Sequence, residues 1–193
     1  MKSTRSWMGT LLMCFFVYSS PAHSLEIKDI PKIVPGAEMT LPLQDGDTYT
    51  STAIKITEVG RFKDTDGSEW MRVDGNTAEG DAVAAYVDIL DSSLDIAVVV
   101  TELDLDDLDA DIDKVRAIAK ARTGTLTFGD HNYQFSGFGR TVFSSSDATT
   151  GKAAYFIFQS KEDTDLSLMI LNWGDRIEAF VNERLASKDV YIK

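Results

Sequence analysis

Seven carboxylates fall within twelve residues, 102–113 (ELDLDDLDADID). Clustered oxygens are what a calcium ion takes as ligands, so this segment is the first candidate for chemistry. An EF-hand loop opening at Asp109 would put Lys114 where the glycine belongs and Lys120 where the closing glutamate belongs, and neither fits. The run Asp64-Thr65-Asp66-Gly67-Ser68-Glu69 is one carboxylate short and suits a tight turn. The seven acids have a second physical role at the start of a helix, where negative charge meets the positive end of the helix dipole. Paired carboxylates can also hydrolyse glycans, but nothing in the spacing of 31 acidic residues says which two face one another.

The remaining catalytic chemistry is thin. The chain has one cysteine, Cys14, and two histidines, His23 and His131. Zinc sites and nucleophile–imidazole pairs need more of both. His131 lies in Gly129-Asp130-His131-Asn132, a run of turn-forming residues. There is no G-x-S-x-G elbow, no P-loop and no G-x-G-x-x-G. Gly137-Phe138-Gly139 has two glycines of such a loop, but inside a strand pattern, where glycine marks a bulge. Arg61 and Arg140 each follow a glycine at a strand end, as paired anion contacts or as two solvent-facing charges on an acidic surface.

One helix and many strands must position these residues. Leu105, Leu108, Ile112, Val115 and Ile118 or Ala119 recur at three- and four-residue spacing, with acids before them and Lys114, Arg116, Lys120 and Arg122 after. This pattern predicts an amphipathic helix over 105–122, with Gly124 as its left-handed cap. Elsewhere β-branched and aromatic residues alternate with polar ones. Strands are expected from Tyr49 to Val59, at Trp70 to Val73, 82–90, 94–101, 126–128, 133–143, 154–158, 166–171, 177–181 and 190–192. Gly60 should end or bulge the first, and Asp64 to Ser68, Asp74-Gly75-Asn76 and Asn172 to Asp175 should be turns. Residues 144–152 read as a polar loop, and Met39-Thr40-Leu41 as a short strand.

Residues 56–62 (ITEVGRF) lie over 135–141 (FSGFGRT), each ending in apolar-Gly-Arg and each followed by a turn and an aromatic strand. Either an old duplication or two ordinary meanders gives this pattern. The fold expected is α+β, mainly antiparallel β with two similar meanders and one helix. Its core should hold Ile56, Trp70, Val98, Val100, Leu108, Ile112, Val115, Phe135, Phe156, Phe158, Leu168 and Ile170.

The first 24 residues carry an address. Lys2 and Arg5 precede the apolar stretch 7–18, and Ala22 and Ser24 stand at the −3 and −1 positions of a cleavage site. That run is too short to span a bilayer, and Cys14 lacks the small preceding residue of a lipid anchor. Cleavage after Ser24 leaves 17 basic against 31 acidic residues, a net charge of −14, and no cysteine. An acidic exported protein without disulfides fits a bacterial periplasm. The charge excludes a phosphate-backbone footprint, and it can steer the chain to a basic partner. The domains expected are a signal peptide at 1–24, a lead-in at 25–48, and a β-rich domain at 49–193 whose halves 49–104 and 125–193 are joined by the helix.

The stretches Leu126-Thr127-Phe128-Gly129-Asp130-His131-Asn132-Tyr133, Ala154-Tyr155-Phe156, Leu166-Ser167-Leu168 through Trp173 and Val190-Tyr191-Ile192 resemble the YjfK-like bacterial proteins and their relatives of unknown function. Gly60-Arg61 and Gly67-Ser68-Glu69-Trp70 are similar to the first half of that group. The resemblance covers roughly residues 46–193 through diffuse β patterning. It implies an association with envelope stress and no activity. The export signal departs from that group, whose members are mostly cytoplasmic.

The sequence therefore leads to an exported, non-catalytic protein that binds another macromolecule in the cell envelope through an acidic or apolar surface, with a basic protein as the expected partner. The alternatives are a calcium- or small-ligand-binding periplasmic protein and a carboxylate-dependent hydrolase. No cofactor, nucleic acid or membrane insertion after signal cleavage is expected. Arg61, Arg140, Trp173, Asp106, Asp109 and Asp113 are the residues expected to meet a partner.

Overall fold

The computed structural model describes residues 24–46, 48–90 and 92–193. The signal peptide expected at 1–24 lies, up to residue 23, outside the described residues. The remainder is mainly antiparallel β with one helix, as the alternation implies. Eleven strands follow in order: β1 (Glu38–Asp45), β2 (Thr48–Asp64), β3 (Glu69–Asn76), β4 (Ala82–Ile89), β5 (Leu94–Leu103), β6 (Thr125–Phe128), β7 (His131–Ser145), β8 (Thr150–Ser160), β9 (Leu166–Asn172), β10 (Ile177–Leu185) and β11 (Tyr191–Ile192). The helix α1 (Ile112–Ala121) lies between β5 and β6.

Strands β1–β5 form one meander and β6–β10 another, each pairing with its neighbour in sequence. The two meanders join twice. Strand β5 pairs with β10, and the C-terminal part of β2 pairs with β7, from Gly60 opposite Ser145 to Asp64 opposite Thr141. Strands β2, β3, β4, β5, β10, β9, β8 and β7 thus close into a ring. The equivalent strand of each half meets its counterpart at both junctions, as a two-fold axis through the ring requires. Each of β2 and β7 spends its other end on its own hairpin partner, β1 or β6.

The likeness of 56–62 to 135–141 has a structural counterpart. Each segment carries a β-bulge at the matching place, with Thr57 the extra residue against β3 and Ser136 the extra residue against β8. The glycines match too. A Cβ on Gly60 would lie 2.4 Å from the Phe143 ring, and one on Gly139 would lie 2.4 Å from the Tyr155 ring. Glycine is needed at both places because an aromatic ring lies flat on the strand there. Strand β2 accordingly runs straight through Gly60, which does not end it.

Three apolar clusters follow from strand alternation. In β4, Ala85 and Val87 join the first cluster and Tyr86 the third; in β9, Leu168 and Ile170 join the second and Leu171 the third. Neighbouring residues face opposite sides of a sheet, so the third cluster lies on the ring's inner face and the other two on its outer face. The outer face of the first half is covered by Leu25, Ile30, Ile33 and β11, and that of the second half by Leu108, Val115 and Ala119 of the helical segment. The lead-in, 25–48, is thus part of the sheet and of the first cluster.

Several expectations need correction. The helix is not continuous over 105–122. A 3-10 turn spans Leu105–Leu108, Asp109 turns left-handed at φ 46°, and α1 begins after Asp111, whose side chain caps the Lys114 N–H at 2.7 Å. Short acidic side chains compete for backbone N–H groups, so the acids that complement a dipole also cut the helix in two. Arg122, not Gly124, takes the left-handed cap position. Gly75 lies within β3, where the Lys55 carbonyl leaves no room for a Cβ, and the turn falls at 77–81. The polar stretch 144–152 is mostly strand. His131 and Asn132 already belong to β7. Val100 is 42% exposed because it is the extra residue of a bulge opposite Val181 and Asn182. Ile112 and Phe135 are half-buried at the margin of the second cluster. The other nine expected core residues are buried.

Candidate functional site

Aromatic side chains from both halves fill the ring. Phe62 stacks on Trp70 with centroids 3.7 Å apart, Trp70 meets Tyr86 at 5.7 Å and Tyr155 edge-on at 6.0 Å, and Tyr86 meets Phe180 at 6.2 Å. This filling leaves two separate mouths, one at each end.

The first mouth opens on a cavity of about 430 Å³. Its apolar wall includes Trp70, Tyr86, Tyr155 and Met169; its charged side chains are Asp64, Asp88, Asp95 and Arg184, with Asn182, Gln159 and the Ser68, Ser136 and Ser167 hydroxyls as neutral polar groups. Alternation puts two of these on the inner face: Asp88 follows Tyr86 by two, and Asn182 follows Phe180 by two. Asp64, at the end of β2, accepts the Trp70 indole N–H at 3.1 Å and the Tyr155 hydroxyl at 2.5 Å. Those bonds fix the carboxylate. Burial, and then the bond to Asp64, push the Tyr155 phenol above its usual value. Asp88 and Asp95 stand directly opposite one another on β4 and β5. Asp95 takes Arg184 Nη2 at 2.7 Å. Burial, reinforced by the Asp95 charge, holds the Asp88 carboxyl above its ordinary value. Asn182 is 2% exposed, and its Oδ1 has no hydrogen-bond partner. A buried acceptor left unpaired costs stability, and this one belongs to a residue that lines an open cavity.

The second mouth carries two arginines that pair with its acids. Arg72 Nε meets Asp74 Oδ1 at 2.9 Å and lies 5.1 Å over the Phe180 ring. Arg176 Nε meets Glu178 at 2.8 Å and lies 4.9 Å over the Trp173 ring. Burial raises the Tyr86 phenol, opposed by the nearby Arg72 charge. The Tyr86 hydroxyl, the Trp173 indole N–H and the Thr141 hydroxyl are also without partners, but Trp173 and Thr141 do not line the acidic cavity, and Tyr86 presents its ring there.

The residues expected from sequence lie elsewhere, apart from Trp173. Arg61 and Arg140 sit on the outer face of the β2–β7 seam. Arg61 is opposite Ser144, and the Arg140 carbonyl accepts the Thr65 N–H just past the last paired residues. Lys63 stands between them and is bound to Glu69 at 3.1 Å. The two arginines are therefore about 13 Å apart along the ladder, by strand rise, a row and not a clamp. Phe138 and Val142, both 51% exposed, share that row. Asp106, Asp109 and Asp113 are exposed and diverge: the Asp109 carbonyl takes Lys114 Nζ at 2.6 Å, and Asp113 pairs with Arg116 at 3.2 Å. Among the described residues, no three acidic or metal-binding side chains gather to hold a metal.

His131 has a partner that sequence reasoning missed, with Nδ1 3.1 Å from Ser160 Oγ. That hydroxyl is buried and already accepts the Asp163 N–H at 3.1 Å, an arrangement that closes a turn.

Sequence reasoning also missed Asp64, Asp88, Asp95, Asn182 and Arg184 as a group. Two signals were present: Asp88 interrupts the apolar run 82–90, and Asn182 interrupts 179–182 (AFVN). A polar residue inside a buried strand is the pattern to look for. Comparison with protein-family models, with curated proteins and with solved structures finds no match for this chain.

Proposed function

We propose that this chain is an exported, non-catalytic binding protein that takes a small ligand, or one side chain of an envelope partner, in the acidic mouth of the ring. The observation that carries this is Asn182, a buried side chain with an unpaired Oδ1 that lines an open cavity of about 430 Å³ together with three aspartates. Ligand sites pair an apolar wall with a few convergent polar groups, and this mouth has both. The signal pattern of residues 1–24 supports export. The cavity favours a compact ligand over the broad macromolecular face that the charge alone suggests.

Cleavage after Ser24 leaves two tryptophans, Trp70 in the acidic mouth and Trp173 in the other. Their indole N–H signals report on the two mouths separately. Titrating the ¹⁵N-labelled mature protein with the small-molecule fraction of an envelope extract, and separately with its protein fraction, is expected to move the Trp70 signal in at least one of the two and leave Trp173 in place. Movement of Trp173 alone, or of neither, overturns the proposal.

A further inference from the structure

We infer that the ligand is a donor-rich organic cation, an alkylammonium or guanidinium group on a short apolar stem. This rests on the binding reading above and names its chemistry.

The charge of the mouth is mainly negative; of its neutral donors, the Gln159 amide is held by the Thr164 and Leu166 carbonyls and the Ser68 hydroxyl by Asp66, while Ser136 and Ser167 add hydroxyls that can donate or accept. Asp64, Asp88 and Asp95 line the mouth with carboxylates, and Asn182 lines it with a side chain whose buried Oδ1 has no partner. The Trp70, Tyr86 and Tyr155 rings add π faces, which attract cations. The cationic side chain in the wall, Arg184, is already bound to Asp95. The donors nearest Asp64, the Trp70 indole and the Tyr155 hydroxyl, are both spent on it. A ligand entering here meets three carboxylates against a single guanidinium, which is paired with Asp95. A carboxylate or phosphate would be repelled. A neutral polyol would bring as many acceptors as donors and leave its own unmatched. An ammonium or guanidinium carries donors only.

The charge argument agrees with the hydrogen-bond argument. Asp88 and Asp95 are like charges directly across a ladder, and Arg184 answers Asp95 alone. A ligand cation beside Asp88 would supply the missing countercharge. Met169 and the Tyr86 ring give the apolar stem a surface to lie on. The opposite mouth makes the contrast, because Arg72 and Arg176 pair with Asp74 and Glu178 and cover the Phe180 and Trp173 rings there.

The test titrates the mature protein with 1,4-diaminobutane and agmatine, and in parallel with 1,4-butanediol, succinate and a lysine-rich peptide, following the Trp70 indole signal. The amines are expected to shift Trp70 saturably at millimolar concentration or below, while the diol and succinate do not. Asp88→Asn should weaken amine binding about tenfold, since it removes one charge-assisted bond. Asn182→Leu should weaken it several-fold, and the unchanged far-mouth Trp173 signal shows that each variant is folded. A lysine-rich peptide that binds more tightly than the free amines identifies the source as a partner's side chain and supports the inference. Binding of the diol or succinate with the amines silent overturns the ligand class but leaves the site. A Trp70 signal indifferent to both amines and to the peptide overturns the inference even if an extract component moves it.

Discussion

The two mouths occupy equivalent places in the two halves, and their chemistry is opposite. Arg72 stands across from Gly60 as Tyr155 stands across from Gly139. One strand further round, Tyr86 faces Arg72 and Leu171 faces Tyr155. Two residues on, Asp88 takes the place of Trp173, and across the next hairpin Asp95 takes the place of Arg176. The two-fold plan is kept where the backbone needs it, in the bulges at Thr57 and Ser136 and in the glycines beneath aromatic rings. It is dropped in the side chains that face the ring's ends. One mouth neutralises itself with arginine; the other is left with acceptors in excess. A repeated scaffold can therefore carry a single site, and the departures from symmetry mark where it lies.

The largest way to break this comparison is to remove what both mouths share. Phe62 is fully buried and touches Trp70, Phe143 and Trp173. Phe62→Ala is expected to cost about 3–5 kcal/mol, with one urea transition whether followed at Trp70 or at Trp173. Two separated transitions would show that the halves fold independently and that the ring is not one cooperative unit.

A smaller effect separates the mouths. Gly60→Ala and Gly139→Ala should each cost about 1–3 kcal/mol through overpacking. The first displaces the Phe143 ring. The second displaces Tyr155, which holds Asp64. Only Gly139→Ala should lower the Tyr155 phenol toward its ordinary value in a spectrophotometric titration. An equal response in both variants would mean that the hydrogen bond to Asp64 does not distinguish the mouths.

The smallest effect has the opposite sign. The Asp88 carboxyl is raised in the folded chain, chiefly by burial and then by Asp95. Below its unfolded value both states are protonated and there is no penalty. As pH rises past that value the folded state resists ionisation, and stability is lost until the folded value is passed. Asp88→Asn is expected to raise Tm at pH 7 by about 2 °C, after allowing for solvent screening, and to change nothing below about pH 4. A fall in Tm at pH 7 would show that Asp88 is bound in the unliganded mouth and is not waiting for a cation. The same substitution is expected to weaken amine binding, so stability and the proposed binding would trade against each other at one residue.

The period of the chain revealed the strands, most of the core and the existence of the helix, because burial on one or two faces writes itself into alternation. Three things were hidden. The split at Asp109 was hidden because the same aspartates serve a dipole and a cap. Gly75 read as a turn because the tight approach of the Lys55 carbonyl, which requires a glycine inside a strand, leaves no mark beyond the glycine itself. The acidic mouth was hidden because its polar residues come from four strands and meet only when the ring closes. Asp88 and Asn182 stood out as polar residues in apolar runs, but which of 31 acids shared their side of the sheet depended on the pairing of β5 with β10. Arg61 and Arg140 were singled out for a motif that the fold uses for its glycine; the arginine merely comes next.

The double junction between the meanders also sets a timetable. Strands β2 and β5 each leave one edge open until partners about eighty residues downstream arrive, and pairing over such separations is slow. A chain that crosses a membrane from its N-terminus would present the first meander with both edges bare before β7 and β10 have emerged. Unpaired edges invite pairing with other chains. The interval before the ring closes, more than the finished ring, is when this fold is exposed to aggregation.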